Sequence, residues 1–293
     1  LEFRRVLFRS LRELGITGVK VAAVGGSLIT DRVLSLAPTI LETGAPTQSI
    51  AHSLISAEAY LGAAPIVDAL AEGAQIVVTG RVADPSLFLA PMVHEFGWDL
   101  LDHERVGAGS AIGHLMECGA QVTGGYFADP GLKDVPEPWN LAFPIAEVDA
   151  EGGVTLSKVE GTGGMISLQT VKEQMLYEVH DPANYITPDV VVDFTQARIE
   201  QLAPDRVRVT GLTGKPRTPT LKVSMGCTEG FIGEDMFFYA GPGALRRALP
   251  AYSNEVILML KASALASTVT LLELTGISRT IIARTYLPVE IFF

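Results

Sequence analysis

The pattern of apolar and polar positions predicts alternating strands and helices in the first half of the chain. Residues 19–24 and 75–79 are short apolar runs rich in valine and isoleucine, each closed by glycine, and they predict buried strands. Residues 59–71 show helical spacing, with Gly73 as the stop signal. Because a strand, a helix and a second strand form a βαβ unit, we expect a parallel sheet at the front of the fold.

Two further helices and a β-rich region are predicted beyond this unit. Residues 86–96 and 105–117 have helical spacing, and Asp84 and Pro85 would open the first helix as cap and first helical residue. The later elements are a hairpin, one helix and three antiparallel strands, at residues 144–148 with 154–158, 166–179, and 190–194, 206–209 and 221–225. The predicted fold class is α/β, a parallel βαβ sheet in front of a smaller antiparallel β-rich part.

The two ends of the chain differ from this body. Residues 1–10 match the translation of a common sequencing adapter, and the alternative, a basic targeting segment, lacks an apolar core and a cleavage site. Residues 256–274 are apolar around most of a helical circumference, and Gly276 marks their end. They predict an apolar helix of membrane type that is foreign to the body. The alternative is a native C-terminal helical subdomain.

Charge supports the same division of the chain. Residues 1–10 and 244–293 each carry a net charge of +2, whereas the whole chain carries −11, so residues 11–243 carry −15. This acidic balance excludes nucleic acid as a partner, because binding to it depends on Lys and Arg. Residues 11–243 contain no run of 18 apolar residues, so no membrane contact is predicted for the body. The two cysteines provide no disulfide framework, which fits the cytoplasm.

Candidate chemistry follows the second predicted strand, where open parallel sheets bind ligands. Gly80, Arg81 and Asp84 lie between this strand and a helix N-terminus, which favours anions. We therefore predict that Gly80 binds a ligand and that Arg81 and Asp84 are catalytic. In the alternative, Asp84 only caps the helix and Arg81 only pairs with a surface carboxylate. The first strand ends in Gly25-Gly26-Ser27, which lacks the spacing of a dinucleotide-binding loop.

A glycine-rich loop precedes the predicted helix at residues 166–179. Gly161, Thr162, Gly163 and Gly164 could present backbone N–H groups to a phosphate or carboxylate and are predicted to bind a ligand. No Lys-Ser or Lys-Thr pair follows, so this is not a nucleotide P-loop. The alternative is a turn whose glycines allow close packing. We expect this loop to share one concave surface with the loop that holds Arg81.

His114 and Cys118 are four residues apart, so on a helix they share one face. They could form a catalytic pair of base and nucleophile. Two metal ligands are the other chemical possibility, but no nearby motif supplies a third and fourth, so no metal site is predicted. A buried histidine beside a packed cysteine is the structural alternative. Tyr126 and Asp129 follow a pair of glycines and are further ligand-binding candidates.

Residues 113–130 combine glycine with His, Glu, Cys, Tyr and Asp, and this block resembles the acyclic terpene utilisation family. Similar blocks lie at residues 56–63, 79–88, 160–164 and 171–174. With these blocks, the resemblance covers residues 11 to about 243. The resemblance implies catabolism of acyclic terpenes or branched-chain acyl compounds, with an acyl-CoA or a small organic acid as ligand. A non-catalytic binding or scaffold protein of the same pathway is the rival. The residues indicate no particular cofactor or oligomeric state.

The resemblance also bears on where the segments begin and end. Family members have a further sub-domain before the strand at residue 19, which implies that the body lacks its N-terminal part. Residues 244–255 resemble the end of the coupling loop in amino-acid ABC transporter permeases, and residues 256–274 resemble the membrane helix after it. We therefore predict three segments of different origin, 1–10, 11–243 and 244–293. One span cannot form a pore, so a transporter function is rejected for the whole chain.

Overall fold

The computed structural model describes residues 2–230, with the side chains of residues 6, 7 and all from 9 onward. The chain divides into two compact units, Leu1–Thr228 and Glu229–Phe293, and the description concerns the first. The apolar helix predicted at residues 256–274 and the junction near Gly243 lie outside the described residues.

Helices and short strands alternate in the first half of this unit, and strands dominate the second half. In chain order the elements are α1 (Glu2–Glu13), β1 (Val21–Val24), α2 (Thr30–Leu36), β2 (Leu54–Ala59), α3 (Ala64–Ala71), β3 (Ile76–Thr79), α4 (Ser86–Phe96), α5 (His103–Met116), β4 (Pro144–Val148), β5 (Val154–Lys158), α6 (Leu168–Leu176), β6 (Tyr185–Ile186), β7 (Val191–Asp193), β8 (Arg198–Ala203), β9 (Arg206–Thr210), β10 (Thr213–Lys215) and β11 (Val223–Cys227).

The predicted parallel sheet is present only as one pair of strands. β1 and β3 run parallel, from Val21 opposite Ile76 to Val24 opposite Thr79. The other described sheets are antiparallel, with strand orders β2-β11, β4-β5-β9-β8 and β10-β7-β6. The prediction of a parallel front sheet is therefore too broad. β2 lies between β1 and β3 in the chain but pairs with the distant β11, so within residues 2–230 the parallel pair has no third strand.

The helix predicted at residues 59–71 begins later than the spacing indicates. Ala59 ends β2, and α3 begins at Ala64 with a proline in its first turn. Within α3 the predicted polarity is confirmed, because Ile66 is buried and Asp68 is exposed. Gly73 ends the helix as predicted, with a φ of 80° that a glycine adopts without strain.

Helix α4 has the predicted bounds, but Asp84 does not cap it. No side chain accepts a hydrogen bond at the start of α4, whereas Asp102 caps α5 by accepting one from the Arg105 N–H. The hairpin β4–β5 and the strands β7, β9 and β11 appear where the sequence predicts them. The strands missed by the sequence are β2, β6, β8 and β10.

At the amino terminus, residues 2–10 belong to helix α1, so the predicted adapter segment has regular structure. The side chain of Val6 is 54% exposed and that of Leu7 is half-buried. Phe3 and Phe8 lie outside the described side chains. The foreign origin of residues 1–10 stays a prediction.

The hydrophobic core is built around α5, which is buried from Val106 to Leu115. Apart from its termini, this helix has no polar face, and it contacts α4, α6, β7 and β10. Helix α5 comes closest to β10 at Gly107, and only glycine allows this approach. A Cβ on Gly107 would lie 2.5 Å from the backbone oxygen of Thr213 in β10. The core contains residues from both halves of the unit, among them Leu89, Ile112, Leu115, Leu156, Ile166 and Val192.

Gly107→Ala is expected to destabilise the protein although alanine favours helices. Alanine gains about 1 kcal/mol in helix propensity, whereas overpacking against rigid backbone costs about 1–3 kcal/mol. We expect a cost at the upper end of this range, and so a net loss of about 2 kcal/mol in urea denaturation, since β10 backbone cannot yield as a side chain would. Gly25→Ala is the control, because no atom of the described residues lies within 4 Å of its added Cβ. Equal stability of the two variants would show that the approach of α5 to β10 is looser than described.

Candidate functional site

The start of α4 and the end of α5 meet at one point of the core. A Cβ on Gly113 would lie 2.5 Å from the Pro85 carbonyl oxygen, so glycine is required for this approach. The contact brings Asp84, just before α4, to the last turn of α5. The Asp84 carboxylate accordingly helps to raise the pKa of both Glu117 and Cys118. Three of the four predicted catalytic residues, Asp84, His114 and Cys118, therefore lie in one neighbourhood.

A buried His–Glu pair forms the centre of this neighbourhood. The His114 side chain is 1% exposed, and its Nδ1 lies 3.1 Å from Oε1 of Glu117. The ring packs against Tyr185 and Phe194, with centroid distances of 5.1 and 6.0 Å. Nε2 of His114 and Oε2 of Glu117 have no hydrogen-bond partner among the described residues. Since buried polar atoms are normally paired, these two atoms are available to a ligand or to water.

The surroundings of Glu117 favour its protonated form. Burial raises the pKa of Glu117, and the nearby carboxylates of Asp84 and Glu178 raise it further, while the hydrogen bond and charge interaction with His114 oppose the shift. A carboxyl group with a raised pKa can donate or accept a proton closer to neutral pH. Glu117 is therefore the strongest candidate for a general acid or base in the described part of the chain.

Glu117→Gln is expected to remove a pH dependence of stability. Because the folded-state pKa lies above the ordinary value of 4.5, the stability that Glu117 contributes is present below that value and is lost as pH rises through the raised pKa. Urea denaturation over a pH series should show this loss in the wild type and not in the variant, since glutamine does not ionise.

Asp149→Asn is the control with the opposite sign. Burial would raise the pKa of Asp149, but the Gly153 N–H and the Arg208 guanidinium outweigh it and lower the pKa. Stability from Asp149 is therefore lost as pH falls through the lowered pKa, and its variant should lose stability at neutral pH. If Glu117→Gln keeps the wild-type pH profile, the raised pKa of Glu117 is refuted.

The predicted nucleophile–base pair of His114 and Cys118 is not formed. The His114 ring is hydrogen-bonded to the Glu117 carboxyl group instead. Burial raises the pKa of the Cys118 thiol, the carboxylates of Glu117, Glu178 and Asp84 add to the rise, and the Gln174 side chain partly offsets it. An activated nucleophilic cysteine requires the opposite shift, because the thiolate is the reactive form. Cys118 is therefore a protonated thiol beside the acid–base pair.

An open groove lies next to this cluster. It has a volume of about 760 Å³ and is lined by Tyr126, Phe127, Gln169, Lys172, Glu173, Leu176, Tyr177 and Glu178. The Tyr126 ring meets Tyr177 edge-on at 5.0 Å. The pKa of Tyr177 is raised chiefly by Glu178, and Cys118 and Tyr126 contribute, which connects the groove to the acid–base cluster. Of the two predicted residues in this region, Tyr126 lines the groove, whereas the Asp129 backbone closes a turn with Lys133.

The predicted strand-end site holds Arg81 and Asp84 as a loose ion pair. Their side chains are 3.8 Å apart and about half exposed, and the guanidinium lies 5.0 Å from the centroid of the Tyr60 ring. The Arg81 N–H, next to Gly80, donates to the Ser27 hydroxyl. The first amides of α4, at residues 86–88, already donate to the carbonyls of residues 83–85. Anion binding at this end of α4 would therefore depend on side chains.

The Gly161–Gly164 loop is a packing turn. The N–H of Gly163 donates to the Asn140 carbonyl, and that of Gly164 to the Pro136 carbonyl. The Thr162 hydroxyl donates to the Val159 carbonyl. The prediction that Gly163 and Gly164 offer free amides to an anion is therefore wrong, because backbone carbonyls already use them. No described contact joins this loop to Arg81 or Asp84, so a shared surface stays a prediction.

Sequence reasoning missed the partners that complete the site. Glu117 lies in the block at residues 113–130, three residues after His114, and this helical spacing could have identified it. Gln174 donates to the His114 carbonyl from α6, and Tyr185 covers the His114 ring from β6. Both contacts join residues far apart in the chain, so no local pattern indicates them.

Residues 2–230 provide neither a cluster of metal ligands nor a membrane-spanning helix. In that range, no three His, Cys, Asp or Glu side chains are grouped so as to hold a metal ion. None of the helices in the same range has both the length and the hydropathy needed to cross a bilayer.

Comparison with known families agrees with the resemblance of the body. Residues 3–280 match the family model described as acyclic terpene utilisation family protein AtuA. The chain belongs to the acyclic terpene utilisation family. The match extends past residues 10 and 243, so the three predicted segments of different origin stay predictions.

A short segment toward the C-terminus is similar to transporter permeases. Over 51 residues the chain is 59% identical to the octopine transport system permease protein OccM of Rhizobium meliloti. Over the same length it is 61% identical to the histidine/lysine/arginine/ornithine transport system permease protein HisM of Escherichia coli K12. These matches cover 17% of this chain and 21% of each permease, so the chain spans about a fifth of their length. No solved structure matches the chain.

Proposed function

We propose that this protein binds a branched, acyclic organic acid or its CoA thioester in the cytoplasm and transfers a proton to or from it. Family membership supports a role in acyclic terpene utilisation. The observation that carries the proposal is the groove at Tyr126 and Lys172, which lies beside the buried pair of Glu117 and His114. A pocket with a raised carboxyl pKa is a typical acid–base site.

The groove suits a ligand with an apolar body and one polar end. Phe127, Leu176 and the two tyrosines offer apolar surface to a hydrocarbon chain. Lys133 is paired with Glu173 at 2.9 Å, whereas no acidic side chain in the described part pairs with Lys172. Lys172 is therefore the cation available to a carboxylate or a thioester oxygen.

The acid–base pair supplies the chemistry in this proposal. Ionised Glu117 takes a proton from the carbon next to the thioester carbonyl, the C–H electron pair moves toward the carbonyl oxygen, and the proton returns from the carboxyl group. His114 acts as a positioning residue, because its hydrogen bond fixes the Glu117 carboxylate. The rival is a binding or scaffold protein that uses the same groove without chemistry.

A thermal-shift panel tests the binding part of the proposal. The full chain is heated with citronellyl-CoA, citronellate or CoA, and a ligand that binds the folded state raises the Tm. Citronellyl-CoA and citronellate should both raise it, because both carry a branched hydrocarbon chain. A panel in which neither compound changes the Tm would refute the proposal.

A hydrogen-exchange assay distinguishes a proton-transfer enzyme from a non-catalytic scaffold protein. Citronellyl-CoA is incubated with the protein in D₂O, and its mass is followed with time. Incorporation of deuterium by the wild type and its loss in Glu117→Gln would support proton transfer, since only an ionisable group exchanges the hydrogen. Binding without incorporation would contradict the catalytic step and support the scaffold function.

A further inference from the structure

Two cations lie against one tyrosine ring at the carboxyl end of the parallel strand pair. The Arg81 guanidinium is 5.0 Å and the Lys222 ammonium 4.9 Å from the centroid of Tyr60. The Tyr60 N–H donates to the Lys222 carbonyl, which fixes β11 beside this ring. Cations within about 6 Å of a ring face are attracted to it, and two cations this close to one centroid lie within about 10 Å of each other.

The positive charges of Arg81 and Lys222 are only weakly neutralised by acidic side chains. Arg81 has only its loose contact with exposed Asp84. No ion pair joins Lys222 to an acidic side chain in the described part of the chain, and Glu58, which faces Ser224 in the adjoining strand, pairs with neither cation. The body is strongly acidic, so two cations that flank one ring and have only the exposed Asp84 carboxylate in contact form a local exception. Such a site attracts an anion with more than one charge.

Polar groups beside the cations favour a ligand with several acceptor oxygens. The Ser224 hydroxyl lies 3.3 Å from the Tyr60 hydroxyl, so a second hydrogen-bonding group adjoins the cations. A diphosphate presents enough oxygens to bridge an arginine, a lysine and a hydroxyl, whereas one carboxylate neutralises a single charge. The carboxyl end of a parallel strand pair is also where α/β sheets place ligands.

We propose that Tyr60, Arg81, Lys222 and Ser224 form a binding site for a diphosphate group of the kind that the nucleotide part of CoA carries. The proposal rests on the proposed function for the identity of the full ligand. Asp84 lies between the two regions, since it contacts Arg81 and raises the pKa of Glu117. A CoA thioester whose diphosphate binds here would extend its pantetheine arm from this site toward the acid–base pair.

Calorimetric titration of the full chain with inorganic pyrophosphate, CoA and ADP tests the site. We expect all three to bind, and we expect higher salt to weaken the binding because the contacts are partly exposed. Arg81→Gln combined with Lys222→Gln should weaken each ligand at least tenfold. The control combines Lys20→Gln with Arg105→Gln, because these exposed cations have carboxylate partners elsewhere. Tighter binding of CoA than of ADP would assign the site to CoA.

The outcomes separate this site from the proposed function. Unchanged pyrophosphate binding in the double variant, or none in the wild type, would overturn the diphosphate site. If citronellate still binds in that case, the groove and the proposed function stand. If pyrophosphate and CoA bind through Arg81 and Lys222 while citronellate does not bind and citronellyl-CoA binds no more tightly than CoA, the diphosphate site stands and the proposed function fails.

Discussion

His114→Ala is expected to lower the free energy of unfolding by about 3–5 kcal/mol. The substitution removes a side chain that is 1% exposed and leaves a cavity between Tyr185 and Phe194. It also leaves the carboxyl group of Glu117 largely buried and without its hydrogen-bond partner, and breaking such a pair is among the costliest single changes. Urea denaturation at neutral pH measures the loss.

His94→Ala is the matched control for this prediction. His94 also lies near the end of a helix, α4, but its side chain is exposed. Its removal should change the stability by no more than about 0.5 kcal/mol. Similar effects of the two substitutions would show that His114 is not buried and that the acid–base pair is not formed.

Removal of residues 244–293 is expected to give a distinctly more soluble protein without loss of stability. Residues 256–274 are apolar around most of a helical circumference, and we expect a segment foreign to the body to find no matching surface on it. Exposed apolar surface of this size promotes aggregation. The measurement compares residues 11–243 with residues 11–293 by the soluble fraction after expression and by Tm.

The same comparison decides the origin of this segment. If the shorter chain is equally stable, the C-terminal segment contributes nothing to the body, as its similarity to permeases leads us to expect. If the shorter chain unfolds, the segment is part of the fold and the predicted division at Gly243 is wrong. The family model matches the chain beyond residue 243, so this second result would agree with the family match.

The sequence predicts elements whose signals are local, and it fails where distant segments meet. Helix α4 and the hairpin β4–β5 have the predicted bounds because helical spacing, glycine and proline define their ends. Strand β2 was missed because Ile55 is its single β-branched residue and Ala57, Glu58 and Ala59 are of types that strands use less often. Its pairing with β11, and so the limited extent of the parallel sheet, depends on a contact that spacing does not indicate.

The candidate site was predictable in part for the same reason. The mixture of polar residues with glycine at 113–130 indicated a candidate site, and the structure brings Asp84 to His114 and Cys118, a contact that the sequence did not predict. The chemical roles of these residues did not follow from the sequence, because each role depends on how deeply the side chain is buried and on which groups surround it. Burial makes Glu117 the acid–base candidate and keeps Cys118 protonated, whereas backbone carbonyls occupy the amides of Gly163 and its neighbour.

The most direct test of the account is calorimetric titration of citronellyl-CoA into the full chain, with Lys172→Gln and Lys20→Gln measured alongside. Lys172 lines the groove, whereas Lys20 contacts Glu72. We expect the wild type and Lys20→Gln to bind alike and Lys172→Gln to bind about tenfold more weakly, which corresponds to about 1.4 kcal/mol. An absence of binding to the wild type, or equal affinity for Lys172→Gln, would contradict a ligand site in this groove.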